Sequence, residues 1–304
     1  MRIRVRKTVC FVVYCLFFLS LVIALSACSE DKPAGTRDNT PRVLAESPDG
    51  TVVFGNELAS IDASNTASGY IMVRYMGENP QVRLQITASN GTVYTYTLSG
   101  DEYEVFPFTE GNGVYGVAVY ENVSGDQYAQ VSAAQVEVNL TDQFEPFLHS
   151  NQYVRFNGDS QCVALGAKLA APADDDLDVV TYIYDYIIDN IKYDFDRAEN
   201  VSVGYLPDID KVLEEGKGIC FDYAALATAM LRSQGIPTRL VVGYSDDVYH
   251  AWISVYIEDV GWVNKAIEFK GTDWVRMDPT YDANAATLDK YIGSGANYHQ
   301  MYLY

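Results

Sequence analysis

The sequence predicts two folds in series: an all-β sandwich, then an α+β domain in which helices pack on an antiparallel sheet. Three observations carry this. From Thr51 to Leu140, short runs rich in Val, Tyr, Thr and Ile are separated by Gly- and Asn-containing turns, the pattern of stacked antiparallel strands. Beyond Thr141-Asp142-Gln143 the apolar residues change to three- and four-residue spacing, which is the period of a helix face. After Gly235-Ile236-Pro237, strand-like runs return.

Taken in order, the first element is a leader. Arg2, Arg4, Arg6 and Lys7 precede an apolar run from Thr8 to Ala27 that holds no acidic residue, as in a secretory signal peptide. The run ends in Leu25-Ser26-Ala27-Cys28, which resembles the bacterial lipobox. That resemblance implies a leader of 1–27 and a lipid on Cys28. The same 20 residues would also suffice for an uncleaved anchor helix. Both readings put the remainder outside the cytoplasm and tether it to the cell membrane. Residues 28–48, rich in polar residues, Pro and Gly, read as a flexible linker.

The chain has 21 Lys+Arg against 41 Asp+Glu, a net charge of −20. Without residues 1–27, which hold four basic and no acidic residues, the charge is −24. A field of that sign argues against nucleic acid or an anionic membrane surface as ligand. Cys10 and Cys15 fall in the leader and Cys28 would carry lipid, which leaves Cys162 and Cys220. Two cysteines make no disulfide framework, although an oxidising compartment would permit a bridge between them.

Residues 49–142 are expected to form the sandwich, immunoglobulin-like and of about seven strands. Val82, Leu84 and Ile86 alternate with polar residues, Asn90-Gly91 supplies a turn, and Tyr94, Tyr96 and Leu98 alternate on the far side, which predicts a hairpin. Similar runs occupy 70–76, 114–120 and 130–140. The many tyrosines read as cross-strand pairs that stabilise the sheet, or as a face that binds carbohydrate or peptide.

Residues 143–304 are expected to form the α+β domain. Leu177, Val180, Tyr184, Ile187, Ile188 and Ile191 mark one face of a helix. At its start Asp174, Asp175 and Asp176 are placed to favour the cap and dipole rather than a cation. Gly216-Lys217-Gly218-Ile219-Cys220 then feeds a helix over 219–234 with Tyr223, Leu226, Ala227, Met230 and Leu231 on its buried face. Cys220 thus sits in the first helical turn, where free N–H groups favour a thiolate. Arg239–Tyr244 reads as a strand, and Tyr249-His250-Ala251-Trp252 opens a second. Trp274-Val275-Arg276-Met277 reads as a third, closed by Asp278-Pro279-Thr280. An antiparallel arrangement would set Asp278 beside His250. A thiolate, an imidazole and a carboxylate that fixes the imidazole tautomer are the parts needed to attack a carbonyl.

The blocks GKGICFDYAALATAMLRSQGIPTRLVVGY, HAWISVY and WVRMDPT resemble those of the transglutaminase-like superfamily, over about residues 175–285. The resemblance implies a papain-like core with the nucleophile's helix on an antiparallel sheet. It also implies Cys220 as nucleophile, His250 as general base and acid, and Asp278 as the residue that orients His250. The segment 261–273 is longer than the shortest family pattern and reads as an extra hairpin. His149 and His299 lie outside the blocks. An oxyanion hole is required; the N–H of Cys220 is one donor, and Asn157, Gln161, Asn190 and Tyr205 stay open as the second. Some relatives use calcium, but no calcium-loop pattern occurs here, and neither cofactor nor metal is expected. The expected function is a membrane-anchored, extracytoplasmic cysteine peptidase or amidase working through a thioester on protein or cell-wall peptide, with transamidation as a variant. The other reading is a non-catalytic binding or scaffolding lipoprotein with the same fold.

Overall fold

Alternating side chains build the N-terminal part, whose strands are β1 (Val53–Gly55), β2 (Ala59–Asp62), β3 (Tyr70–Tyr75), β4 (Val82–Thr87), β5 (Val93–Leu98), β6 (Glu104–Pro107), β7 (Gly113–Ser124) and β8 (Gln127–Val138). The computed structural model describes residues 34–258, 260–263, 267–270, 273–276, 280 and 297–304, with the backbone alone along 267–270 and 273–276. The leader 1–27, Cys28 and Asp278 lie outside the described residues. Among the described residues, no helix is long and apolar enough to cross a membrane.

The eight strands make two antiparallel four-stranded sheets, ordered β1-β2-β3-β6 and β5-β4-β7-β8. The hairpin expected at Asn90-Gly91 is present, with Leu84 opposite Tyr96 and Ile86 opposite Tyr94. Gly91 takes the positive φ of 89° that this turn needs. Val82, Leu84, Ile86, Tyr94, Tyr96 and Leu98 all point into the core. The sheets meet through contacts such as Tyr96 on Phe106, with centroids 4.7 Å apart. Strands β1, β2 and β6 span only three or four residues each, too few to declare a period.

The second part contains α1 (Gln161–Ala170), α2 (Asp176–Asn190), β9 (Lys192–Tyr193), α3 (Phe195–Asn200), α4 (Ile209–Glu215), β10 (Lys217–Gly218), α5 (Cys220–Ser233), β11 (Thr238–Ser245), β12 (Val248–Ile257), β13 (Gly261–Val263), β14 (Ile267–Lys270), β15 (Asp273–Arg276) and β16 (Tyr298–Leu303). Its main sheet is antiparallel, ordered β13-β12-β11-β16. The terminal strand β16 was not anticipated. Strand β12 lies between β11 and β13, and β15 pairs with β14; Asp278, expected beside His250, is outside the described residues.

Helix α5 also departs from expectation. One buried face was foreseen, yet every residue from Asp222 to Ser233 is buried, because α1, α2 and α4 pack on α5 as well as β11 and β12. Its polar residues therefore need internal partners. Arg232 donates from Nε to the carbonyl of Thr238 (2.9 Å), from Nη1 to that of His149 (2.6 Å) and from Nη2 to that of Tyr304 (2.7 Å).

The segment expected to be a flexible linker is, from Thr36 onward, a strap on this part. Arg42 N–H donates to Ser233 O at 2.7 Å, and Arg37 Nε pairs with Asp176 at 2.6 Å. Glu46 meets Nδ1 of the buried His149 at 2.9 Å. Polar composition, which suggested solvation, supplies the donors and acceptors that fasten the strap. It also accounts for the three acids: Asp174 accepts from Thr36 N–H, Asp175 caps α2, and Asp176 holds Arg37.

Thr36–Tyr304 form one compact unit. An aromatic seam joins its parts, with Tyr304 against Tyr153 (4.4 Å), Tyr94 (5.7 Å) and Tyr96 (5.9 Å), and Tyr153 against Phe221 (5.4 Å).

Candidate active site

The approach to Cys220 is fixed by two glycines and one acid. Gly216 ends α4 in the left-handed conformation, φ 61°, which favours glycine. Gly218 has no room for a side chain, because an added Cβ would press on the side chain of Asp222. Strand β10, which follows Gly216 and includes Gly218, pairs in parallel with β9. Cys220 is then the first residue of α5, with Ile219 as its N-cap.

Asp222, fully buried, holds this start in place. Its Oδ2 accepts from the N–H of Ile219 at 2.8 Å and from Arg197 Nη1 at 3.1 Å, and its Oδ1 accepts from Tyr205 OH at 2.7 Å. Arg197 also pairs with Glu215 at 2.9 Å. Burial raises the pKa of Asp222 against the opposing pull of these donors, and burial likewise raises that of Tyr205. The sequence reading missed this network. A signal was present, since an acid three residues past an N-cap is a recognised helix start, but Arg197 and Tyr205 are too distant in sequence to be assigned to it.

His250 lies on β12 opposite Gly243 of β11 and is buried. Its ring is stacked with Trp252, centroids 6.1 Å apart. Cys220 and His250 line one cavity of about 540 Å³, within the usual size of small-molecule and peptide sites. Asp278, the third residue inferred from sequence, lies outside the described residues. Of the four oxyanion candidates, Tyr205 lines this cavity, with its hydroxyl engaged by Asp222. Gln161 donates to Glu214 and Asn190 to Tyr186 O, and neither they nor Asn157 lines it.

Cys162 and Cys220 are free thiols. Burial, followed by the charge of Asp210, pushes the Cys162 thiol up to about 12, whereas Cys220 is partly exposed. His149 is buried beside Glu46 and against Tyr70, and His299 is exposed on β16. The described residues hold no cluster of three or more His, Cys, Asp or Glu able to bind a metal.

Residues 163–279 match the family model for the transglutaminase-like superfamily. The uncharacterized protein YebA of Bacillus subtilis (strain 168) is 27% identical over 151 residues, 42% of this chain and 20% of that protein, so the match spans about a fifth of that relative's length. Among solved structures, a protein of Cytophaga hutchinsonii named as a candidate cysteine protease is similar with a TM-score of 0.37 and 15% identity, over 83% of this chain and 86% of that one. Red sea bream transglutaminase is similar with a TM-score of 0.28 and 12% identity, over 69% and 48%.

Proposed function

From the transglutaminase-like domain that residues 163–279 form, we propose that this chain is a cysteine acyl-transfer enzyme, a peptidase or amidase anchored outside the cytoplasm through lipid on Cys28. The observation that carries it is Cys220, at the first turn of a buried helix, in one cavity with His250. In the proposed cycle His250 takes the Cys220 proton and the thiolate attacks an amide carbonyl. The C–N bond breaks, the amine leaves with the proton from His250, and a thioester remains. Water, deprotonated by His250, attacks that thioester, and carboxylic acid and free thiol are released. An amine in place of water would give transamidation. Asp278 is assigned to orient His250, residues 143–304 to catalysis and 49–142 to the preceding β domain. The first helical N–H groups favour the thiolate and can serve the oxyanion.

The test is the rate of Cys220 alkylation by iodoacetamide against pH, read by peptide mass with an unstructured cysteine peptide as the reference thiol. The expected result is fast reaction well below pH 8, lost in His250→Ala, together with casein or peptide hydrolysis that is lost in Cys220→Ala. Alkylation no faster than that of an ordinary thiol would overturn the proposal and favour a non-catalytic scaffold.

A further inference from the structure

We infer that the β-rich part completes the substrate site, and that Arg83 on β4 receives a carboxylate of a peptide whose scissile amide lies at Cys220. This rests on the acyl-transfer reading above. Part of the cavity wall is built from Arg83 of β4, Thr95 and Thr97 of β5, and Ser99 just beyond. All four are exposed, while their neighbours Val82, Leu84, Tyr96 and Leu98 fill the sandwich core. Strand alternation therefore presents this polar stripe to the same cavity as Cys220 and His250.

The charge of that cavity is unlike that of the chain. In a protein with 41 acidic residues, no carboxylate is found among the described residues that line the cavity, and Arg83 is the one Lys or Arg among them. The Arg83 guanidinium lies over the ring of Tyr128, 4.1 Å from its centroid, and among the described residues it makes no ion pair. Stacking holds the planar group and leaves its edge donors for a ligand, the geometry suited to a carboxylate.

The wall is also held in place. Gln152 donates to the edge carbonyl of Thr97 at 2.8 Å and to Glu104 at 2.7 Å, and Tyr153 bridges from there to Phe221, next to Cys220. Exposed Val201, Val203 and Tyr249 also line the cavity, an apolar surface for a side chain near the scissile bond. The substrate class is thus a peptide with an apolar residue at the cleavage site and a carboxylate farther along, from either an acidic side chain or a free C-terminus.

The probes are labelled hexapeptides with central Phe or Leu in two matched series: C-terminal acid against carboxamide, and internal Glu against Gln. Affinity is measured by fluorescence anisotropy on the full chain carrying Cys220→Ala, in detergent, and kcat/KM on the unsubstituted full chain. At least one series is expected to favour the carboxylate by roughly tenfold, the worth of a charged hydrogen bond. Arg83→Gln should bring that ratio close to one, and R83K should keep part of it. The series that responds identifies the carboxylate's source. A ratio near one across all pairs, or a ratio unchanged in R83Q, overturns the assignment. Arg83-dependent binding with slow Cys220 alkylation would leave the subsite standing and sink the acyl-transfer reading, whereas a fast-reacting Cys220 with no pair preference would do the reverse.

Discussion

Substitution of Asp222 separates what its shape contributes from what its charge contributes. Three donors converge on this carboxylate: the buried N–H of Ile219, Arg197 and Tyr205. In Asp222→Ala the Ile219 N–H loses its partner where water does not reach, a cost of roughly 1–3 kcal/mol. Arg197 and Tyr205 are only half-buried and can turn to solvent, and Arg197 keeps Glu215. The ion-pair contribution therefore falls below the roughly 3–5 kcal/mol of a fully buried broken pair, and the total comes to about 3 kcal/mol. Asp222→Asn can place its oxygen at the Oδ2 position, keeping Ile219 and Arg197, and turn its amide toward the Tyr205 oxygen, which can accept. Burial already raises the pKa of Asp222, so its charge is no net gain to the fold, and the Asn variant should cost only about 1 kcal/mol. Urea unfolding followed by circular dichroism measures both. Cys220 alkylation should slow in D222A, where the helix start frays, and change little in D222N. Equal losses in the two variants, or none in D222A, would refute the assignment of this cap.

Two further outcomes concern buried groups outside the cavity. Arg232→Ala removes three hydrogen bonds to the carbonyls of Thr238, His149 and Tyr304; it should cost about 3 kcal/mol or more and lower the thermal midpoint, with the C-terminal residues opening first in hydrogen exchange. Cys162, fully buried with its thiol raised to about 12, should resist iodoacetamide in the native state. A raised acid keeps its proton in the folded chain after the unfolded chain has lost it, so its contribution is complete below pH 9 and falls as pH climbs from 9 toward 12, by about 1 kcal/mol per unit. Urea titrations of Cys162→Ala should show that much less base sensitivity than the unsubstituted chain.

What was legible in the sequence is what local rules write into neighbouring residues. The hairpin at Asn90-Gly91 combines a period of two with a turn that needs a left-handed glycine, and α5 combines a helical period with a Gly-Ile-Pro stop. Burial of α5 on all sides was not legible, because Thr228, Arg232 and Ser233 read as a polar face until three helices close over them. The strap at Thr36–Glu46 was mistaken for spacer for the same reason, since polar residues look alike whether they meet water or helix ends. Strand β16 lies beyond Asp278, far in sequence from its partner β11, and its exposed His299, Gln300 and Met301 gave no sign of pairing. Arg83, Thr95 and Thr97 sit at outward positions of a hairpin whose inner face was read correctly. Only the packing of Tyr153 and Tyr304 against that sandwich turns an ordinary solvent face into a cavity wall.

The contrast between a strongly acidic chain and a cavity whose described lining holds Arg83 and no carboxylate leads to a kinetic test in which two electrostatic effects oppose each other. At long range a net charge of −20 repels a carboxylate-bearing peptide, and salt screens that repulsion over a Debye length of about 10 Å at 0.1 M. At contact the Arg83–carboxylate pair is shorter than this length and is screened much less. Raising salt from about 0.03 to 0.3 M should therefore speed association of the acidic peptide with the Cys220→Ala chain by a few-fold and change its dissociation little. Its carboxamide partner, with less charge to repel, should show a weaker salt effect on association. Stopped-flow anisotropy separates the two rates. Association that slows as salt rises would mean that the peptide is drawn in by a positive field, which the charge distribution described here does not provide.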